Sequence, residues 1–215
     1  MLIDRYQKAV DDLLMKVRTT QKEAIFKAGE LVANAVENGG KVYFAELCHA
    51  RQRDVIYRGG GPIFYNEYKP EETELKAGDV LFVSSVSGRT LKVVELTYDS
   101  VEKGVNVIAF TSMEYARAVD PVHPSGKKLY EMATLTLDNC APAAEAMLEV
   151  DGIEARFAAA SGIASDFILW SLTSVAVEKM LADGYTPGIL KSANFPGGND
   201  YNKTVIEPHY EEFGW

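Results

Sequence analysis

The chain has 215 residues, 47% of them hydrophobic and 25% charged, the make-up of a globular protein long enough to bury a sizeable core. A formal net charge of −9 argues against wholesale binding to nucleic acid or an anionic membrane, which needs a basic face. It leaves room for a small anion pocket built from backbone amides and hydroxyls. Cys48 and Cys140 are too few for a disulfide scaffold, match no zinc-ligand spacing and suit a reducing interior. The opening MLIDRYQKAVDD lacks an apolar signal-peptide core, and the uncharged run 167–177 is too short to cross a bilayer. A cytoplasmic protein without membrane contact is expected.

Residues from about 3 to 38 carry a helical pattern. Ile3, Tyr6, Val10, Leu13, Leu14 and Val17 share one face, and Ile25, Ala28, Leu31, Val32 and Ala35 continue it. Thr19-Thr20 marks a break, and Asn38-Gly39-Gly40 is a stop signal. Such a leading helix packs on a partner subunit or on its own sheet. Residues 41–45 read as a strand, and 49–58 as a helix ended by Gly59-Gly60-Gly61-Pro62. A strand at 79–84 runs into SSVSGRT (84–90), followed by a helix with Leu91, Val94, Leu96 and Val101 on its inner side. Residues 105–110 (VNVIAF) form the next strand, closed by Thr111-Ser112. A polar loop, VHPSGKK (122–128), leads to a strand at 133–137 with Asp138-Asn139 behind it. A long apolar helix spans about 161–181, and the tail from about 186 reads as irregular. The whole, 1–215, is expected as one domain. Strands alternating with helices imply a parallel sheet covered on both faces.

The turn after the second strand is the most informative segment. A helix start offers unpaired amides and a partial positive charge. Ser85, Ser87 and Thr90 add hydroxyls, and Gly88 lets the backbone bend close to a ligand. One of those hydroxyls is accounted for by an ordinary helix cap; three and a glycine exceed that need. Thr111 and Ser112 end a sheet strand where ligands meet open α/β sheets, or cap the next helix. His49 has the ring to shuttle a proton near neutral pH, or to cap its helix. Asp54 and Glu46 are carboxylates that could serve as base, or could simply be solvated. Cys48 reads as a small buried apolar residue, Glu145 and Glu149 as an exposed helix face, and His123 with Lys127 and Lys128 as a solvated loop. Asn194, Gly197, Gly198 and Asn202 form an Asn/Gly-rich turn.

Several segments together resemble the sugar isomerase (SIS) domain, in its phosphoheptose-isomerase-like branch. They are S-x-S-G-x-T at 85–90, YRGGGP (57–62), IAFTSMEYA (108–116), HPSGKKLYEMA (123–133), LDN (137–139) and KSANFPGGNDYN (191–202). The resemblance covers most of the chain. It implies a doubly wound α/β three-layer sandwich with a five-stranded parallel sheet. It also implies a phosphosugar ligand and a homodimer or homotetramer with sites near subunit contacts. In catalytic members the reaction is aldose–ketose isomerisation through an enediol, with no cofactor and no metal. Ser85, Ser87, Gly88 and Thr90 would hold the phosphate, with Thr111, Ser112, Asn194 and Asn202 near the sugar. His49 with Asp54 or Glu46 would move the proton.

The chain departs from that pattern after its first strand. The branch has a glycine-rich loop there, whereas this chain reads FAELCHARQ (44–52), without glycine. A glycine-free turn holds backbone amides further from a phosphate, and an inward Glu46 would repel it. A non-catalytic sugar-phosphate sensor of the same fold is therefore the alternative expectation.

Overall fold

The computed structural model describes residues 1–45 and 54–213, the side chains of 211–213 excepted. Helices α1 (Leu2–Thr20) and α2 (Lys22–Glu37) meet at Gln21, one residue past the Thr pair. Strands β1 (Val42–Phe44), β2 (Tyr65–Glu67) and β3 (Val80–Ser84) follow. Next come α3 (Leu91–Glu102), β4 (Asn106–Thr111), the short α4 (Met113–Ala118) and β5 (Leu135–Asp138). The five strands form one parallel sheet in the order β2-β1-β3-β4-β5. A separate hairpin, β6 (Ala146–Leu148) with β7 (Phe157–Ala159), precedes the long helix α5 (Ser161–Ala182). α6 (Gly198–Tyr201), a π-helical segment (Asn202–Ile206) and α7 (Glu207–Phe213) complete the chain.

Helices cover both sheet faces, so β3 is buried at all five positions. On one face Phe44, Tyr65, Phe82 and Phe110 pack with Val32 and Val36 of α2 and Ile168, Leu169 and Leu172 of α5. The Phe44 and Phe82 rings stack with centroids 4.6 Å apart, and the Tyr65 hydroxyl meets Thr173 Oγ1 at 2.8 Å. Burial pushes the Tyr65 phenol's pKa far up. On the other face Leu81, Val83, Val107 and Ala109 meet Val94 of α3 and Leu129.

Three expectations need correction. The described part of the proposed 49–58 helix, 54–58, is a single 3₁₀ residue followed by turn, because Tyr57 sits at φ +56°, outside helical space. Residues 198–213 are helical rather than irregular; Pro208 follows directly on the π-helical segment, where Glu207 N–H reaches back five residues to Asn202 O and the regular i−4 ladder is already interrupted. β2 and the β6–β7 hairpin had no strand signal, since each strand is only three residues long and β2 ends in Asn66 and Glu67.

Candidate functional site

Topology opens a crevice at one place. From β1 the chain turns outward to β2, whereas from β3 it turns the other way to β4 and β5. The carboxyl ends of the neighbours β1 and β3 are therefore the switch point, the place where ligands bind in doubly wound sheets. The β1 wall begins at Ala45, and Glu46 and His49 lie outside the described residues. The β3 wall is Ser85–Thr90.

That turn is tightly built. Ser85 N–H extends the ladder to Phe110 O at 3.1 Å, and Gly88 N–H closes the bend on Ser85 O at 2.9 Å. The buried Ser85 hydroxyl meets Thr90 Oγ1 at 2.8 Å and accepts from Thr90 N–H at 3.3 Å. Gly88 sits at φ +66°; a Cβ there would lie 3.1 Å from Ala116 Cβ and 3.2 Å from Thr111 Oγ1. Only glycine fits both demands.

Two of the turn's carbonyls are held from behind. Val86 O accepts from Thr111 Oγ1 at 3.2 Å and from Ser112 N–H at 3.0 Å, and Gly88 O accepts from Leu129 N–H at 2.8 Å. Its donors remain open. No side chain caps α3, whose Val93 and Val94 amides already bond Thr90 O. Among the described residues, the Ser87, Leu91 and Lys92 amides and the Ser87 hydroxyl have no acceptor. Ser87 is half-buried and Thr90 exposed. A compact anion is what such a set of donors at a helix start receives best.

The charges agree. Arg89, Lys92 and Lys128 pair with no carboxylate among the described residues. Lys128 Nζ donates to Ala116 O at 2.6 Å and Val119 O at 2.9 Å, closing the end of α4 beside Gly88. The HPSGKK segment is thus a brace: Ser125 N–H and hydroxyl meet His123 Nδ1, Lys128 grips α4, and Leu129 grips the turn. Its proximity to the Ser turn could not be read from a loop 35 residues further along the chain.

The other expected contacts divide. Thr111 and Ser112 stand at the turn but are fully buried; Ser112 Oγ donates to Ala141 O at 2.6 Å and caps α4 by accepting from Tyr115 N–H at 3.0 Å. Asp54 faces Arg58, with 3.6 Å between Oδ1 and the guanidinium. Asn202 spends both side-chain atoms on Lys191, accepting from its N–H and donating to its carbonyl at 2.9 Å each, while Asn194 is exposed. Their segment follows residues 188–190, which bond 60–63 ahead of edge strand β2. β1 therefore lies between that edge and the Ser turn in this chain. Sequence reading missed Asp138, whose Oδ1 accepts from Met113 N–H at 3.0 Å and Cys140 N–H at 2.8 Å and so fixes the ends of β4 and β5. Its signals were the acid closing the strand LTLD and its place in the LDN segment, to which no role was attached. Glu145 caps α5 by accepting from Ser161 N–H at 3.1 Å and from the Ser161 hydroxyl, and is no exposed helix residue.

The SIS domain profile matches residues 62–112, a stretch that holds β2, β3, the Ser turn, α3 and β4. Two UPF0309 proteins of Halalkalibacterium halodurans are each 30% identical to the chain. One alignment covers 96% of this chain and 94% of the relative, the other 95% and 96%. The chain belongs to the UPF0309 family. Among solved structures, a phosphoheptose isomerase from Neisseria gonorrhoeae aligns with TM-score 0.55 at 16% identity, over 82% of this chain and 97% of that one. The Vibrio vulnificus NanR protein, complexed with ManNAc-6P, aligns with TM-score 0.53 at 15% identity, over 98% and 70%. Both likenesses establish the fold. No helix among the described residues is long and apolar enough to cross a membrane.

Proposed function

We propose that the chain binds a phosphorylated sugar with its phosphate on the Ser85–Thr90 turn, and isomerises it between aldose and ketose forms in the cytoplasm. The observation that supports this reading is the set of donors without an acceptor among the described residues at the start of α3, with the Ser85, Val86 and Gly88 carbonyls already bonded. Ser87, Thr90 and the backbone at Gly88 meet the phosphate, and Ser85 fixes Thr90. The sugar then extends over β1 toward the segment after Ala45 that contains Glu46 and His49. A base there, His49 aided by Asp54 or Glu46, removes the proton beside the carbonyl and gives an enediol. Returning that proton to the neighbouring carbon completes the exchange. No metal or organic cofactor takes part in these steps. The protein works as a homodimer or homotetramer, in which Asn194 and Asn202, at this chain's outer edge, approach a neighbour's crevice. Names of structural neighbours support the ligand class: one is a phosphoheptose isomerase and another holds ManNAc-6P.

A sensor that binds the sugar phosphate without turnover is the second reading, favoured by the glycine-free FAELCHARQ segment. Exchange of the sugar's α-proton with solvent deuterium separates the two. Exchange that disappears in His49→Ala or Asp54→Ala supports catalysis, and binding without exchange supports the sensor.

A further inference from the structure

We propose that Thr111 is a positioning residue of the anion turn: it aims the Val86–Ser87 peptide into the crevice and does not itself touch the ligand. The inference rests on reading Ser85–Thr90 as a phosphate turn and adds what shapes it. A trans peptide unit is planar, with its C=O and N–H pointing in opposite directions. The carbonyl of the Val86–Ser87 unit is pinned by Thr111 Oγ1 at 3.2 Å and by the Ser112 amide at 3.0 Å, both at the end of β4. In the order β1-β3-β4, β4 lies on the far side of β3 from β1. The Ser87 N–H therefore points away from β4, toward β1 and the crevice, and it has no acceptor among the described residues. Thr111 itself has no exposed surface, and its hydroxyl lies 3.2 Å from where a Gly88 Cβ would stand. It backs two consecutive bends of the turn from the side opposite the ligand. Leu129 N–H does the same for Gly88 O, and so for the Arg89 amide. Ser112 contributes its backbone amide to the same carbonyl, so removing the Thr111 hydroxyl loosens the unit without freeing it.

The test uses inorganic phosphate as probe with wild type, Thr111→Val, which keeps the shape and loses the hydroxyl, and Thr111→Ser, which keeps the hydroxyl. Calorimetric titration is expected to show phosphate bound about five- to tenfold more weakly by Thr111→Val, in line with one lost hydrogen bond, and restored in Thr111→Ser. The Ser87 amide resonance of the ligand-free protein is expected to move in Thr111→Val and to stay in place in Thr111→Ser. An unmoved Ser87 resonance in Thr111→Val overturns the proposal, because a direct ligand contact would weaken binding without altering the empty turn. Wild-type affinity in Thr111→Val, or equal weakening in both variants, overturns it too, the latter marking a role in packing alone. Absence of phosphate binding by the wild type would instead fell the phosphate-turn reading and this inference with it.

Discussion

Replacing Gly88 with alanine tests the turn's construction. Its φ of +66° costs an L-residue about 1–2 kcal/mol. The new methyl would lie 3.1 Å from Ala116 Cβ and 3.2 Å from Thr111 Oγ1, neither at the end of a flexible side chain, so overpacking adds about 1 kcal/mol. The sum, about 2–3 kcal/mol, lowers the melting temperature of a chain this size by about 5–10 °C. Gly126 is the control: its φ is +69°, but a Cβ there meets nothing within 4 Å. Gly126→Ala should thus show only the backbone cost, about 1–2 kcal/mol. Urea denaturation of both variants beside wild type reads the difference. Equal losses in the two variants, or a Gly88→Ala protein as stable as wild type, would refute the claim that the turn closes against Ala116 and Thr111.

Other substitutions probe the site and its supports. Ser87→Ala should leave the ligand-free stability within about 0.5 kcal/mol of wild type and abolish most of the stabilisation given by a sugar phosphate, since the Ser87 hydroxyl has no acceptor among the described residues. Differential scanning fluorimetry with and without ligand checks both parts. Glu145→Ala should cost about 1–2 kcal/mol in chemical denaturation, as removal of the cap on α5. Burial, and secondarily the nearby Asp183 carboxylate, raises the Glu37 pKa above its ordinary value, and one buried Glu37 oxygen has no hydrogen-bond partner among the described residues. Folded protein then binds more protons than unfolded across the window between the two values, so stability falls as pH rises through it. Glu37→Gln should be more stable than wild type above that window, and the gain should shrink toward acid pH. A gain unchanged with pH would mean the carboxyl titrates normally.

Much of the sheet was legible because its inner strands are covered on both faces. VLFVS and NVIAFT are near-continuous apolar runs bounded by Gly78, Gly104 and the Ser turn, a pattern with few alternatives. β2 escaped notice because an edge strand of three residues can end in polar side chains and still pair through its backbone. The Ser turn was visible as a local motif, since strand, hydroxyls, glycine and helix are consecutive. Its bracing was not: Thr111 on β4 and Leu129 beyond the HPSGKK loop reach it only through parallel pairing and chain return, which no local window contains. Thr111 and Ser112 illustrate the ambiguity of a hydroxyl at a strand end. Sequence places it near the ligand, while only structure tells whether it faces the crevice or the scaffold. Glu145 misled for a related reason: at φ +80° it breaks the helical pattern that its spacing to Glu149 suggested.

Thermal denaturation with pentose to heptose phosphates, each beside its dephosphorylated parent sugar, tests the phosphate grip most directly. At a ligand concentration a hundredfold above Kd the stability gain is about 2.7 kcal/mol. That raises the melting temperature by about 5–10 °C. At least one phosphorylated sugar should produce that rise while its parent produces none. If no member of the panel shifts the transition, or the parent sugars shift it equally, the turn does not serve as a phosphate site.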